Sequence, residues 1–163
     1  MRRKLRVAAY AVCVRDDQLL LARGIDEQGE PEWTLPGGGM EHGEDPYDTV
    51  LREVDEETGY EVEITGLLGV DSLRRTFPYH FRRAFPRVFR RTTDHHALRL
   101  VYEARVTGGD LRFEVGGSTD LAAWHPLEEV ETLNRVGLVD TGLALWRKRP
   151  AAGHLEPHPY PGK

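Results

Sequence analysis

Glu53, Glu56 and Glu57 stand at i, i+3 and i+4 in this 163-residue chain. On a helix that spacing puts three carboxylates on one flank. Like charges at these separations repel, and they fall in the second half of the predicted helix, where the backbone dipole is also negative. Arg52, four residues before Glu56, neutralises part of this charge. The remainder asks for a cation. The group offers oxygen donors and no His or Cys, so the ion indicated is a hard one, Mg²⁺ or Mn²⁺, rather than zinc. A solvated acidic face is the ordinary alternative for a Glu-rich helix. It does not explain the glycine loop, the capping residues and the Arg–Glu pair together.

The helix that must carry these side chains has legible ends. Asp45 suits the N-cap, Pro46 the first turn and Gly59 the left-handed stop. Tyr47, Val50, Leu51 and Val54 recur at helical spacing and are expected to face a core. Upstream, Trp33–Leu35 reads as a short strand and Pro36-Gly37-Gly38-Gly39 as a tight loop. Consecutive glycines permit close backbone approach, which serves a phosphate cradle or a packing turn equally well.

From Gly38 to Tyr60 the chain resembles the signature of the Nudix hydrolase family, G-x5-E-x7-R-E-U-x-E-E-x-G-U, where U is a bulky apolar residue. Gly38, Glu44, Arg52, Glu53, Val54, Glu56, Glu57 and Gly59 occupy the fixed positions, and Tyr60 fills the last bulky one. Trp33, Leu35, Pro36 and Gly37 match the usual run-in, and a looser pattern of strands and a closing helix extends over residues 4–147. The resemblance implies an α/β fold, an α/β/α sandwich with a mixed β-sheet. It implies metal-dependent hydrolysis of a pyrophosphate linkage in a nucleoside diphosphate derivative: a nucleotide sugar, an ADP-ribose-like compound or a nucleoside triphosphate. Catalytic roles pass to Arg52, Glu53, Glu56 and Glu57, metal-binding to the three glutamates and Gly38, and a supporting role to Glu44. Arg52 would orient a glutamate through a charged hydrogen bond. The general base stays open, with Glu57 first and Glu103, Glu114 and Asp120 as outside candidates. An RNA-end pyrophosphohydrolase and a non-catalytic nucleotide-sensing module are the alternative functions, and the resemblance is compatible with a homodimer.

The whole chain bounds these readings. With 39% hydrophobic and 30% charged residues it reads as a folded soluble domain rather than a disordered one. Residues 1–148 are expected to form the domain, and the Pro/Gly/His-rich tail 149–163 to be mobile or loosely docked. No apolar run is long enough for a membrane span. A single cysteine, Cys13, excludes an internal disulfide and suits a cytoplasmic setting. Glu41–Glu61 holds nine acids against one arginine, and Ser72–Thr93 seven arginines and no acid. Such polarity suits a nucleotide-type anionic substrate arriving with its counter-ion. Arg82, Arg83, Arg90 and Arg91 are accordingly candidates for contacting it.

The other elements follow from alternation and punctuation. Leu5–Val14 and Gln18–Ala22 read as a hairpin around Asp16-Asp17. Glu61–Leu73 reads as a strand ending near Asp71, and the Phe/Arg-rich stretch to Arg91 as a loop with a broken helical piece. His95–Val106 is the clearest strand, turned by Gly108-Gly109-Asp110 into Leu111–Val115. Leu121–Trp124 reads as a short strand, Pro126–Leu133 as a helix and Val136–Arg147 as the final helix.

Overall fold

A computed structural model describes residues 2–26, 28–78, 92–112 and 116–156. In chain order the elements are β1 (Arg2–Val12), β2 (Val14–Arg15), β3 (Gln18–Ile25), β4 (Pro31–Thr34), β5 (Gly37–Gly39), α1 (Pro46–Thr58), β6 (Tyr60–Pro78), β7 (Thr92–Gly109), β8 (Leu121–Pro126), a 3-10 turn at Val130–Thr132, and α2 (Gly137–Lys148). One sheet runs β5-β1-β7-β6; β1 is parallel to β7, and the other pairs are antiparallel. In the second, β3 carries β2 and β4 on one edge and β8 on the other.

Alternation along the central strands divides the interior in two. Val12 of β1, Leu19 and Leu21 of β3 and Val101 of β7 join Leu138, Val139, Leu143 and Leu145 of α2 in one core. Ala9, Ala11, Leu20 and Ala104 point the other way and meet Val50 and Val54 of α1 in a second. A mixed sheet system between two helices is therefore the α/β/α sandwich expected. No helix among the described residues is long and apolar enough to cross a membrane.

Several expected elements are corrected. The first hairpin breaks at Cys13: β1 belongs to the mixed sheet, and only the two residues of β2 pair with β3. Its turn is as expected, with Asp16 and Asp17 both at positive φ (51° and 58°), the primed geometry that follows strand twist. β6 runs on to Pro78 in place of a loop from Leu73, because β7 starts at Thr92 and pairs with it throughout. The alternation of Ser72–Thr76 is hidden by its arginines. Leu111 and Arg112 are not in a strand. Pro126 ends β8, and only the 3-10 turn follows where a helix to Leu133 is expected. Tyr47 is 43% exposed instead of facing the core. After α2 the chain stays attached as far as the described residues go. Val70 N–H donates to the Gly153 carbonyl at 2.9 Å, and Leu155 packs on the α2-side core.

Candidate active site

Helix α1 has the ends its sequence announces. Asp45 accepts a hydrogen bond from the Tyr47 N–H at 2.8 Å, Pro46 opens the first turn, and Gly59 closes the helix at φ 76°. These caps fix the rotation of α1, and with Val50 and Val54 buried, the flank bearing Glu53 and Glu57 meets β5.

Arg52 is the hub of the carboxylates. Its guanidinium donates to Glu44 through Nε (2.8 Å) and a terminal nitrogen (3.0 Å). The other terminal nitrogen donates to Glu53 at 2.8 Å and Glu56 at 3.3 Å. A longer contact, 3.4 Å, reaches the Gly39 carbonyl on β5. Glu44 also accepts from the Glu41 N–H and the Thr49 hydroxyl. The Arg52 hydrogen bond, followed by the Glu41 one, pulls the Glu44 carboxyl down to about 2, and the same pairing raises Arg52 further above its usual range. Both remain charged at any physiological pH.

Glu57 is 3% exposed and accepts a hydrogen bond from the Gly37 N–H at 2.9 Å. Glu53 approaches the same strand from the α1 side. A Cβ on Gly38 would lie 2.6 Å from its carboxylate, so any side chain there would displace Glu53 from this position. The run Gly37-Gly38-Gly39 is a short strand, and the missing side chain of Gly38 leaves room for the Glu53 carboxylate against it. Glu56, by contrast, has a side chain 49% exposed and turns toward Arg52.

These donors fit a hard cation in chemistry: carboxylate oxygens beside backbone carbonyls, with no nitrogen or sulfur. Among the described residues no three His, Cys, Asp or Glu side chains are gathered into a ready-made centre. Glu53 and Glu56 share one Arg52 nitrogen, which holds these two carboxylates near each other.

Other candidates lie elsewhere. Glu103 accepts from the Trp146 indole and from Arg149, both at 3.0 Å, on the α2 side. Asp120 is held by Arg23 in a two-bond pair at 3.0 and 2.9 Å. The His96 ring meets the Ser72 hydroxyl at 2.8 Å. Glu114, Arg82, Arg83, Arg90 and Arg91 lie outside the described residues. Trp33 packs on the α2-side core and sets its ring edge-to-face against His125, centroids 4.3 Å apart, a structural position.

Sequence reasoning passed over two residues of β1. Tyr10 pairs with Gly37 and Ala8 with Gly39, so the β1 side chains flanking Ala8, Arg6 and Tyr10, lie directly under the glycine strand. Burial raises the Tyr10 phenol, Arg6 and Arg99 oppose that, and Glu57 and Glu53 add to it. The signal is the alternation of Lys4, Arg6, Ala8 and Tyr10 along β1.

Known proteins bear on this arrangement. The NUDIX domain description matches residues 4–147. The human 8-oxo-dGDP phosphatase NUDT18 is 28% identical over 135 residues, 81% of this chain and 36% of its own length. A Proteus vulgaris 8-oxo-dGTP diphosphatase is 33% identical over 78 residues, 47% of this chain and 68% of its own. Against four other or overlapping curated relatives the chain spans 28% to 40% of their length. A solved NUDIX hydrolase from Nitrosomonas europaea superposes with a TM-score of 0.66 at 26% identity, covering 89% of this chain and 90% of that one. The chain belongs to the NUDIX hydrolase family.

Proposed function

We propose that this chain hydrolyses a pyrophosphate linkage in a nucleoside diphosphate derivative, using α1 and β5 as the reaction floor. The observation that carries the reading is the buried Glu57 carboxylate on the Gly37 N–H beside Glu53. Arg52 pairs with Glu44 and Glu53 and orients both carboxylates, and so fixes the loop that leads into the helix. Glu53, Glu56, Glu57 and the Gly38 carbonyl would hold a divalent ion, Mg²⁺ or Mn²⁺. When bound, such an ion supplies charge neutralisation for the diphosphate and activates water. Glu57 takes the proton from the attacking water, which approaches phosphorus in line with the departing phosphate oxygen.

The relatives are named for 8-oxo-dGDP, 8-oxo-dGTP and diphosphoinositol polyphosphate. A phosphoanhydride is common to all three, so the test is a phosphate-release screen built around that bond. Its panel holds ADP-ribose, nucleotide sugars, ordinary and oxidised nucleoside di- and triphosphates, diphosphoinositol polyphosphates and triphosphorylated RNA, each with Mg²⁺, Mn²⁺ or excess chelator. Turnover with metal and none with chelator is the expected result. Glu57→Gln should reduce it by about 10²–10⁴-fold, the range for a general base. Turnover of RNA ends alone would move the function to the RNA-end alternative, and no turnover of any member would remove the enzyme reading.

A further inference from the structure

The Pro36–Gly37 peptide is held at both of its polar ends. Its carbonyl accepts from the Ala11 N–H of β1 at 2.8 Å. Its N–H, on Gly37, donates to the Glu57 carboxylate of α1 at 2.9 Å. A peptide unit is planar, so bonds at its two ends fix its tilt between strand and helix. Gly37 stands at φ 141°, a conformation that favours glycine. A Cβ there would lie 2.3 Å from the Ala9 carbonyl oxygen, 2.6 Å from the Tyr10 Cα and 2.8 Å from Cδ1 of the Tyr10 ring. The β1 backbone and the ring edge therefore take the space a side chain would need, and Gly37 cannot settle further toward β1. We infer that Tyr10 is a positioning residue: its ring backs the Pro36–Gly37 peptide and keeps the Gly37 N–H aimed at Glu57. The inference rests on the hydrolase reading above, which gives Glu57 its proton-accepting role.

Three observations support it. The sheet register pairs Tyr10 with Gly37, so their contact is built into the fold rather than left to a loop. Tyr10 is itself held in place. Its other strand neighbour is the fully buried Val101 of β7, and its side chain packs on the α2-side core. The carboxylates of α1 are also near the ring. Burial is the largest influence on the Tyr10 phenol, Arg6 and Arg99 follow, and Glu57 and Glu53 act on it as well. Tyr10 thus lies against the glycine that binds Glu57 and within electrostatic reach of both glutamates. It touches the chemistry only through Gly37.

The alternative is a tyrosine that merely fills the α2-side core. Amide hydrogen exchange of the full chain, read by nuclear magnetic resonance, separates the two because it reports opening at Gly37 itself. Tyr10→Leu keeps apolar bulk but removes the ring edge from Gly37, and Tyr10→Met serves the same purpose should the leucine variant not fold. Leu138→Ala, a buried change on α2, supplies a protein destabilised without any change at Gly37. Gly37 exchange in Tyr10→Leu should rise about tenfold beyond the rise shared by the α2 amides, the change expected when one hydrogen bond to a charged group is lost. Tyr10→Phe, which retains the ring, should exchange at Gly37 as the native chain does. In turnover of whichever panel substrate the screen identifies, kcat of Tyr10→Leu should fall more than KM rises, and Tyr10→Phe should restore it. A Gly37 rate in Tyr10→Leu that rises only in step with the α2 amides, as in Leu138→Ala, overturns the positioning role. So does a Tyr10→Phe rate equal to that of Tyr10→Leu. The hydrolase reading fails separately, on absence of release in the screen, and the exchange rates still decide whether Tyr10 holds Gly37.

Discussion

Below α2 the sheet presents Val12, Leu19, Leu21, Leu68 and Val101 to a helix that buries Leu138, Val139, Leu143 and Leu145. Below α1 it presents Ala9 and Ala11 of β1 and Cys13 just after it, with Leu20, Tyr60 and Ala104 around them, to a helix whose buried apolar residues are only Val50 and Val54. The same strands supply both sets, one from each side of the pleat. Where β1 and the residue after it pass beneath α1, the buried side chains, Ala9, Ala11 and Cys13, are all short. Beside them Glu57 of α1 accepts the Gly37 N–H of the glycine strand. The α2 layer holds the protein together, and the α1 layer gives up apolar bulk to set carboxylates against backbone. Burial also tells them apart in kind: α1 buries Thr49, Glu57 and Thr58 along with its two valines.

The widest separation should come from one substitution in each layer. Glu57→Gln is expected to abolish most turnover while the folded state persists, since Gln retains an acceptor for the Gly37 N–H. Leu138→Ala, at a buried position of α2 itself, should cost about 2–5 kcal/mol of stability. Turnover per folded molecule should be nearly unchanged. Urea titrations paired with release assays would show both. If Leu138→Ala lost kcat as heavily as stability, the division between a structural and a chemical layer would be wrong.

A subtler change tests whether the short side chains matter. Ala11→Val adds two methyl groups beneath α1 at a position with no exposed surface. Overpacking of this kind costs about 1–3 kcal/mol. It should also lower activity, because lifting α1 withdraws Glu53 and Glu57 from β5. Leu143→Met in the other layer, close to volume-conserving, should cost less than about 1.5 kcal/mol and leave turnover alone. An Ala11→Val protein that is destabilised but fully active would show that α1 height is not what places the carboxylates.

Much of the α1 layer was legible because local chemistry dictates it. Asp45, Pro46 and Gly59 cap the helix from within a few residues, and the spacing of Val50 and Val54 gives its buried side. The hub of Arg52 was legible only in part. Its i+4 contact with Glu56 follows from helix geometry, but the two-bond grip on Glu44 depends on how the preceding loop folds back. Arg6 was not legible at all. Its place beside Gly39 comes from β5 being laid antiparallel on β1 with Gly39 against Ala8, a pairing across more than thirty residues that no local pattern encodes. The same holds for β6 beyond Leu73. Arg74 looks like loop charge until Asp94, on the paired strand, is found beside it.

The smallest effect expected is an acid one, and it concerns the grip on Glu44. An ordinary glutamate titrates near 4.5, and the Arg52 hydrogen bond brings Glu44 to about 2 in the folded chain. A carboxyl depressed in this way binds protons more readily when unfolded, so acid favours unfolding. Its contribution is complete above about pH 4.5 and is lost as pH falls through about 2. Glu44→Gln removes it at every pH. The native protein should therefore melt above Glu44→Gln at pH 6, and the gap should close progressively between about pH 4.5 and 2. Salt should narrow it at pH 6 as well, because Arg52 remains partly exposed to solvent. Glu44→Gln should in addition release Arg52 from the loop and lower turnover by loosening Glu53, a loss that Leu138→Ala does not share. Scanning calorimetry of the two proteins from pH 6 to 2.5 gives the comparison. A gap that stays constant over that range would mean that Glu44 acts through its shape and its Thr49 and Glu41 hydrogen bonds, and that its charge contributes nothing to holding the loop on α1.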